Sequence, residues 1–455
     1  MKKKVIASIL AASMAAMALT GCGGGKTTSE AQGATTDETT ASTEAGSTAD
    51  GAEAPDLNQD TKGTTITFWH SMGGVNGEAM DYLVNKFNEE NTDGITVEAV
   101  YQGEYDDTIN KLKSAQIGNM GADLVQIYDI GTRFMIDSGW VIPMQELINA
   151  DGYDISQIEP NIAAYYTVNN ELYSMPFNSS TPILYYNKDM FDKAGVEYPK
   201  DDWTLDEYIE TARKMAEWGK DQGIYGTYTH TYANEWATIA AQKGQWYTED
   251  GKCNIKDPAW QKALETRKML DDEGIQMPYG QIVAAKAAIN SSFLGGKEAM
   301  VTAGSWLVRD MKNKEKFPFD FQVGVAYMPR FDESVEGLRS NYSCSVLGIP
   351  ENSKHKEEAW RFIRYYVENA SNYIAASGNL PTYLPAYNDD IVNIYCEGSG
   401  LDVSYAKKFF DPAVQLTTNK IIGNKGAEYM QIGKEEIEQY FNGEKSLEDT
   451  LDSIE

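Results

Sequence analysis

Three histidines in 455 residues, His70, His230 and His355, leave little material for imidazole chemistry. The chain contains no HExxH, no GxSxG, no Gly-rich loop running into Lys-Ser/Thr and no GxGxxG opening a helix. These absences remove the helix-borne zinc site, the nucleophile elbow and the phosphate cradles of nucleotide enzymes. Cysteine is equally scarce. Of the four, Cys253, Cys344 and Cys396 stand far from any CxxC spacing, so metal and redox motifs are missing too, and neither metal nor cofactor is expected. An odd number cannot all pair, and small buried thiols suit them better than a disulfide. Basic residues are few beside acidic ones, 39 Lys+Arg against 68 Asp+Glu, for a net charge of −29. A field of that sign repels phosphate backbones and anionic headgroups, which excludes nucleic acid as a partner and weighs against strongly anionic ligands. Long hydrophobic runs are absent as well. The apolar stretch over residues 5–19 is shorter than the roughly 20 residues a membrane span requires.

That stretch has informative flanks. Lys2, Lys3 and Lys4 precede it, and Leu19-Thr20-Gly21-Cys22 ends it. A positive end, a short apolar region and small residues at the cut form a secretory signal. Cys directly after Leu-Thr-Gly resembles the lipobox of bacterial lipoproteins, in which that Cys is acylated and becomes the new N-terminus. The alternative is an ordinary signal peptide with an incidental Cys. The expectation is therefore a signal peptide over 1–21, removed to leave a charge of about −32, and a lipid anchor at Cys22. The protein would then sit on the extracellular face of the cytoplasmic membrane. Residues 22–63 are rich in Gly, Thr, Ser, Ala, Asp and Glu and show no periodicity, which predicts a disordered tether. At about 40 residues its end-to-end scale is about 35 Å.

About 390 residues remain from Thr64 onward, more than one hydrophobic core usually serves, so two lobes are expected. Thr65-Ile66-Thr67-Phe68-Trp69 alternates as a strand, and Met80, Leu83, Val84 and Phe87 follow at helical spacing. A second strand over 95–100, a helix through Ile109, Leu112 and Gln116, and a third strand over 123–127 complete the pattern. Strands alternating with helices at short spacing predict an α/β fold with a parallel sheet, whose ligands bind beyond the carboxyl ends of the strands. The loops to search therefore hold Trp69-His70-Ser71, Tyr101 to Tyr105, and Tyr128-Asp129. Further on, Thr204-Leu205-Asp206-Glu207 is a capping box, Asp257-Pro258 opens a helix, and Ser446 caps a last one.

Aromatic composition is biased towards 28 Tyr and 9 Trp against 14 Phe, side chains with an apolar face and a hydrogen-bonding tip. A neutral sugar offers hydroxyls in its ring plane and C–H faces above and below it. Carboxylates and amides suit the plane, and Trp and Tyr suit the faces. Packing is the plainer use for Trp69, Trp236 and Trp260. The abundance of acids also leaves open a glycosidase-type carboxylate pair.

The series Trp69-His70-Ser71-Met72-Gly73-Gly74, YQGEYDD around Tyr105, QIYDIGT, and FNSSTP leading to LYYNKD resembles the family 1 extracellular solute-binding proteins of ABC importers. It continues through Gly304-Ser305-Trp306, Ser377-Gly378-Asn379-Leu380-Pro381 and Ile422-Gly423-Asn424. The likeness is strongest to the glycerol-3-phosphate-binding branch and more distant to the maltose-binding branch. It implies the two-lobe, type II periplasmic-binding-protein-like fold, with solute in the interlobe cleft and no enzymatic activity. It also implies lobes over 64–175 plus 345–384 and 182–339 plus 385–455, joined near 178–181, 341–344 and 381–385. Partners would be a small-molecule ligand and the permease subunits, with the protein itself a monomer.

Residue by residue, Tyr105, Asp129 and Ser180 match the glycerol-3-phosphate site. Tyr232 stands alone where the relatives have a Trp pair, Asn379 replaces a Tyr, and Gly304 replaces a Ser. The phosphate-binding Arg falls on Ile421, leaving Lys420 beside it. Arg grips phosphate through its planar fork, so its loss favours a neutral sugar or oligosaccharide over glycerol-3-phosphate or a glycerophosphodiester. Trp306 resembles the sugar-stacking Trp of the maltose branch. The expected ligand-binding set is His70, Tyr105, Asp129, Ser180, Tyr232, Trp306 and Asn379.

Overall fold

The computed structural model describes residues 55–57, 61–118, 121–232, 234–421 and 426–455. The expected signal peptide, Cys22 and most of the tether therefore lie outside the described residues, as does the Ile422-Gly423-Asn424 stretch. The packed chain starts ahead of Thr64, earlier than its composition indicates. Thr61 is 3 % exposed, its Oγ1 accepts from Arg361 Nη1 at 3.2 Å, and Arg361 Nη2 donates to the Leu57 carbonyl at 2.5 Å.

Strands β1 (Thr65–His70), β2 (Thr96–Tyr101) and β3 (Leu124–Tyr128) run parallel. They are separated by α1 (Gly74–Glu90) and α2 (Tyr105–Ile117), and α3 (Asp129–Asp137) follows β3 directly. The spacing that predicts α1 is the face it buries: Met80, Leu83, Val84 and Phe87. Phe87 meets Phe362 edge-on at 5.1 Å, and Phe68 of β1 reaches the same ring at 5.7 Å. Sheet, α1 and the helix Lys356–Asn369 thus share one aromatic core.

A short hairpin, β4 (Thr167–Val168) and β5 (Glu171–Leu172), precedes β6 (Met175–Ser180). The chain then crosses to β7 (Ile183–Asn187), flanked by antiparallel β8 (Met300–Ala303) and β9 (Val323–Ala326). It returns through β10 (Leu338–Asn341) to β11 (Ser343–Gly348), and later forms β12 (Leu380–Pro381) and β13 (Val414–Thr417). The larger sheet has the order β12-β6-β11-β3-β1-β2. β11 lies antiparallel to both β3 and β6, so the sheet is mixed where the sequence predicts a parallel one. A strand arriving from the second half of the chain needs no crossover helix and can insert in either direction.

Two regions of core result. One cluster draws on residues 66–177 and 342–374. The other two draw on 183–335 and 375–454. Ser180 of β6 faces Ser343 of β11 just where both strands leave the first region for the second. The expected caps are in place. Thr204 N–H donates to Glu207 Oε2 at 2.7 Å, Asp257 Oδ1 accepts from Ala259 N–H at 2.8 Å, and Ser446 Oγ accepts from Asp449 N–H at 3.1 Å. No disulfide joins Cys253, Cys344 and Cys396. Trp236 and Trp260 are packed, at 8 % and 0 % exposure.

Candidate functional site

A cavity of about 1000 Å³ opens beside the crossing strands and is lined from both core regions. Tyr105 at the start of α2 and Tyr128 at the end of β3 lie tilted against each other, centroids 4.8 Å apart, and form one wall. Both stand at carboxyl ends of parallel strands, where a strand gives way to a helix. Ser180, Tyr165, Tyr342 and Ser343 line the cavity around the crossover. Trp306, Gly304, Tyr232, His230 and Glu235 line it from the second region.

The Gly304-Ser305-Trp306 turn is held from behind by buried tyrosines. Tyr185 of β7 donates to the Gly304 carbonyl at 3.1 Å, and Tyr395 donates to the Ser305 carbonyl at 2.7 Å. Ser305 Oγ donates to Ser180 Oγ at 3.3 Å, which ties the turn to the crossing strand. Trp306 then precedes the helix Leu307–Lys312, so the backbone leading into it is held by the two tyrosines. Opposite in character, Tyr232 is 62 % exposed. Its ring stacks on His230 at 3.6 Å, and its N–H donates to His230 Nδ1 at 3.1 Å. Burial, aided by Arg267, lowers the His230 pKa to about 4, so the ring is neutral and able to accept.

Four residues of the expected set therefore meet in one cavity: Tyr105, Ser180, Tyr232 and Trp306. Asp129 opens α3 directly after Tyr128, and its side chain lies outside the described residues. His70 and Asn379 are corrections, since neither lines the cavity. His70 is not in a loop but ends β1, paired with Tyr101. Side chains alternate along a strand, so His70 shares the inward face of Ile66 and Phe68 and is 3 % exposed. Asn379, 9 % exposed, is drawn instead to Ser377 Oγ at 3.2 Å and Asn76 Oδ1 at 3.3 Å. In return the cavity uses Tyr165, Tyr342 and Glu235, which no sequence period marks: they end the short helix Pro160–Tyr165, link β10 to β11 and open a 3-10 turn.

Charge in the cavity is largely settled. Among the described residues two permanent cations line it, Arg133 and Lys420. Arg133 Nε is paired with Asp137 at 3.0 Å. Lys420 is 9 % exposed, bonds the Tyr342 carbonyl, and lies 4.3 Å from the Tyr342 ring centroid and 5.6 Å from that of Tyr165. Against them stand Glu104, Asp137 and Glu235. Among the described residues no group of His, Cys, Asp and Glu converges as a metal site, and no helix is long and apolar enough to cross a membrane.

Comparison with known proteins agrees on the architecture. The model of the family described as bacterial extracellular solute-binding protein matches residues 82–393. The sn-glycerol-3-phosphate-binding periplasmic protein UgpB of Pectobacterium atrosepticum is 29 % identical over 409 residues, covering 86 % of this chain and 89 % of that one. Among solved structures, the substrate-binding protein Lmo0181 of Listeria monocytogenes, in complex with cycloalternan, superposes with a TM-score of 0.69 at 22 % identity. It covers 86 % of this chain and 97 % of that one. UgpB of Mycobacterium tuberculosis, in complex with glycerophosphocholine, superposes with a TM-score of 0.71 at 18 % identity, over 86 % and 96 % of the two chains.

Proposed function

Because the chain belongs to the bacterial extracellular solute-binding protein family, we propose that it captures a neutral sugar or oligosaccharide for an ABC importer. The observation that carries this reading is the state of the two cations lining the cavity. Arg133 gives its Nε to Asp137, and Lys420 bonds a carbonyl and lies against two aromatic rings. A phosphate dianion entering beside Glu104 and Asp137 would meet no arginine free of a carboxylate partner among the described residues lining the cavity. A neutral ring finds tyrosine and tryptophan faces and hydroxyls at the crossover. A cavity of about 1000 Å³ is at the upper end of small-molecule sites and has room for several sugar units.

Lobes hinged at the crossing strands would close on the ligand and exclude water. The protein returns the solute unchanged to permease subunits, as a monomer held to the extracellular face of the cytoplasmic membrane through acylated Cys22. A second reading, glycerol-3-phosphate or a glycerophosphodiester, is favoured by the identity to the P. atrosepticum protein. A ligand at 100-fold excess over its Kd stabilises the fold by about 2.7 kcal/mol. Thermal-shift screening of neutral sugars beside glycerol-3-phosphate and glycerophosphocholine therefore separates the two. Stabilisation by sugars supports the first reading, and stabilisation by the phosphate compounds alone supports the second.

A further inference from the structure

The asparagines lining the second-region wall are bonded within the protein. Asn234 and Asn419 are bound to each other's backbone, Nδ2 to carbonyl, at 3.1 and 3.2 Å. Asn341 donates to the Thr238 carbonyl at 3.0 Å and accepts from Thr417 at 2.9 Å. Glu235 stands apart. It opens a short 3-10 turn, Glu235–Ala237, just behind the His230–Tyr232 stack. Glu235 lines the large cavity and also a small inner one of about 50 Å³, which Arg267 lines as well. No described residue donates a side-chain hydrogen bond to it.

Arg267 does not neutralise Glu235 by contact. The guanidinium is 2 % exposed and faces Asp271, with Nε to Oδ1 at 3.3 Å. It also donates from Nη1 to the Thr229 and His230 carbonyls, at 2.7 and 3.3 Å. Its Nη2 is buried with no partner among the described residues. Burial raises the Glu235 pKa to about 7, against the pull of Arg267. Near neutral pH the group is thus able both to accept and to donate.

A carboxyl at a cavity wall that accepts no side-chain hydrogen bond has both oxygens available to a ligand. Two oxygens about 2.2 Å apart accept from two adjacent hydroxyls, and donors of this type are what sugars present. Resting on the reading of the protein as a sugar binder, we propose that Glu235 is its specificity-determining residue, binding a vicinal diol of the ligand from the second-region wall. Tyr232 covers one ring face beside it, and Trp306 serves from the neighbouring turn.

The test is calorimetric titration of the full chain with the neutral di- or trisaccharide giving the largest thermal shift, repeated on Glu235→Ala and Glu235→Gln. Loss of a charge-assisted pair of bonds lowers affinity by about 10- to 100-fold in Glu235→Ala. Glu235→Gln, which keeps the shape and one acceptor, falls between that variant and the parent. Sugar affinity within about twofold of the parent in both variants, with unchanged melting temperature, overturns the proposal while leaving the sugar reading intact. If the parent protein itself takes up none of the neutral sugars, the sugar reading fails first. Should Glu235→Ala fail to fold, the near-isosteric Gln variant decides the matter alone.

Discussion

Gly304 leaves no room for a side chain beside Ser180: a methyl group on Gly304 would collide with Ser180 Oγ and stand 2.5 Å from Trp306 Nε1. Three residues that line the ligand cavity are thereby packed on one another at the crossing strand. Gly304→Ala is expected to push Trp306 and Ser180 apart and to weaken ligand binding about tenfold or more, while the melting temperature drops only a few degrees. Titration of the variant beside the parent checks this.

Trp306→Ala removes an aromatic face whose backbone is held by Tyr185 and Tyr395. The turn should survive, because those bonds go to the carbonyls of Gly304 and Ser305 and not to the indole. Sugar affinity is expected to fall by about 2 kcal/mol, or roughly 30-fold. Unchanged affinity with an intact fold would remove Trp306 from the site.

Much of this was legible because local chemistry and tertiary structure agree. The alternation in β1, the spacing in α1 and the Thr204 capping box each specify an element without outside help. Tyr105, Ser180 and Trp306 stand in the motifs that carry the resemblance, Tyr232 stands where the relatives have a Trp pair, and all four line the cavity. His70 was misplaced because the end of β1 was set one residue early; counted as strand, its parity with Ile66 and Phe68 sends it inward. The antiparallel entry of β11 depends on partners 163 to 223 residues away in the chain, beyond any local period. Tyr165, Tyr342 and Glu235 meet in the cavity only after both regions have folded.

Arg267 and Asp271 form an ion pair with side chains 2 % and 3 % exposed. Arg267→Met leaves the Asp271 charge buried without its partner, though Gln276 and the Tyr279 N–H still donate to it. The expected cost is about 3–5 kcal/mol, read as a lower urea midpoint at unchanged m-value. A shift below 1 kcal/mol would show the pair to be dispensable.

Glu298 is wholly buried. One oxygen accepts from Ser292 Oγ at 2.5 Å, and the other meets no donor among the described residues. Burial raises its pKa from 4.5 to about 7. The folded state therefore holds this proton more tightly than the unfolded one. Its contribution is full below pH 4.5 and lost as pH rises through 7, in total roughly 3 kcal/mol. Glu235, raised to about 7 as well, adds a slope of the same sign. His230, lowered to about 4, works the other way and costs stability as pH falls from 6.5 towards 4. Denaturant titrations at pH 5 and pH 8 should show Glu298→Gln losing less stability between the two than the parent does. Equal losses would contradict the assignment.

The most direct measurement is calorimetric titration with neutral di- and trisaccharides and with glycerol-3-phosphate, each at low and high salt. Binding of a neutral sugar engages no ligand charge, so its affinity should barely change with ionic strength. The expected result is salt-insensitive sugar binding and no heat from glycerol-3-phosphate. Salt-sensitive binding of glycerol-3-phosphate with no sugar binding would contradict the neutral-ligand reading.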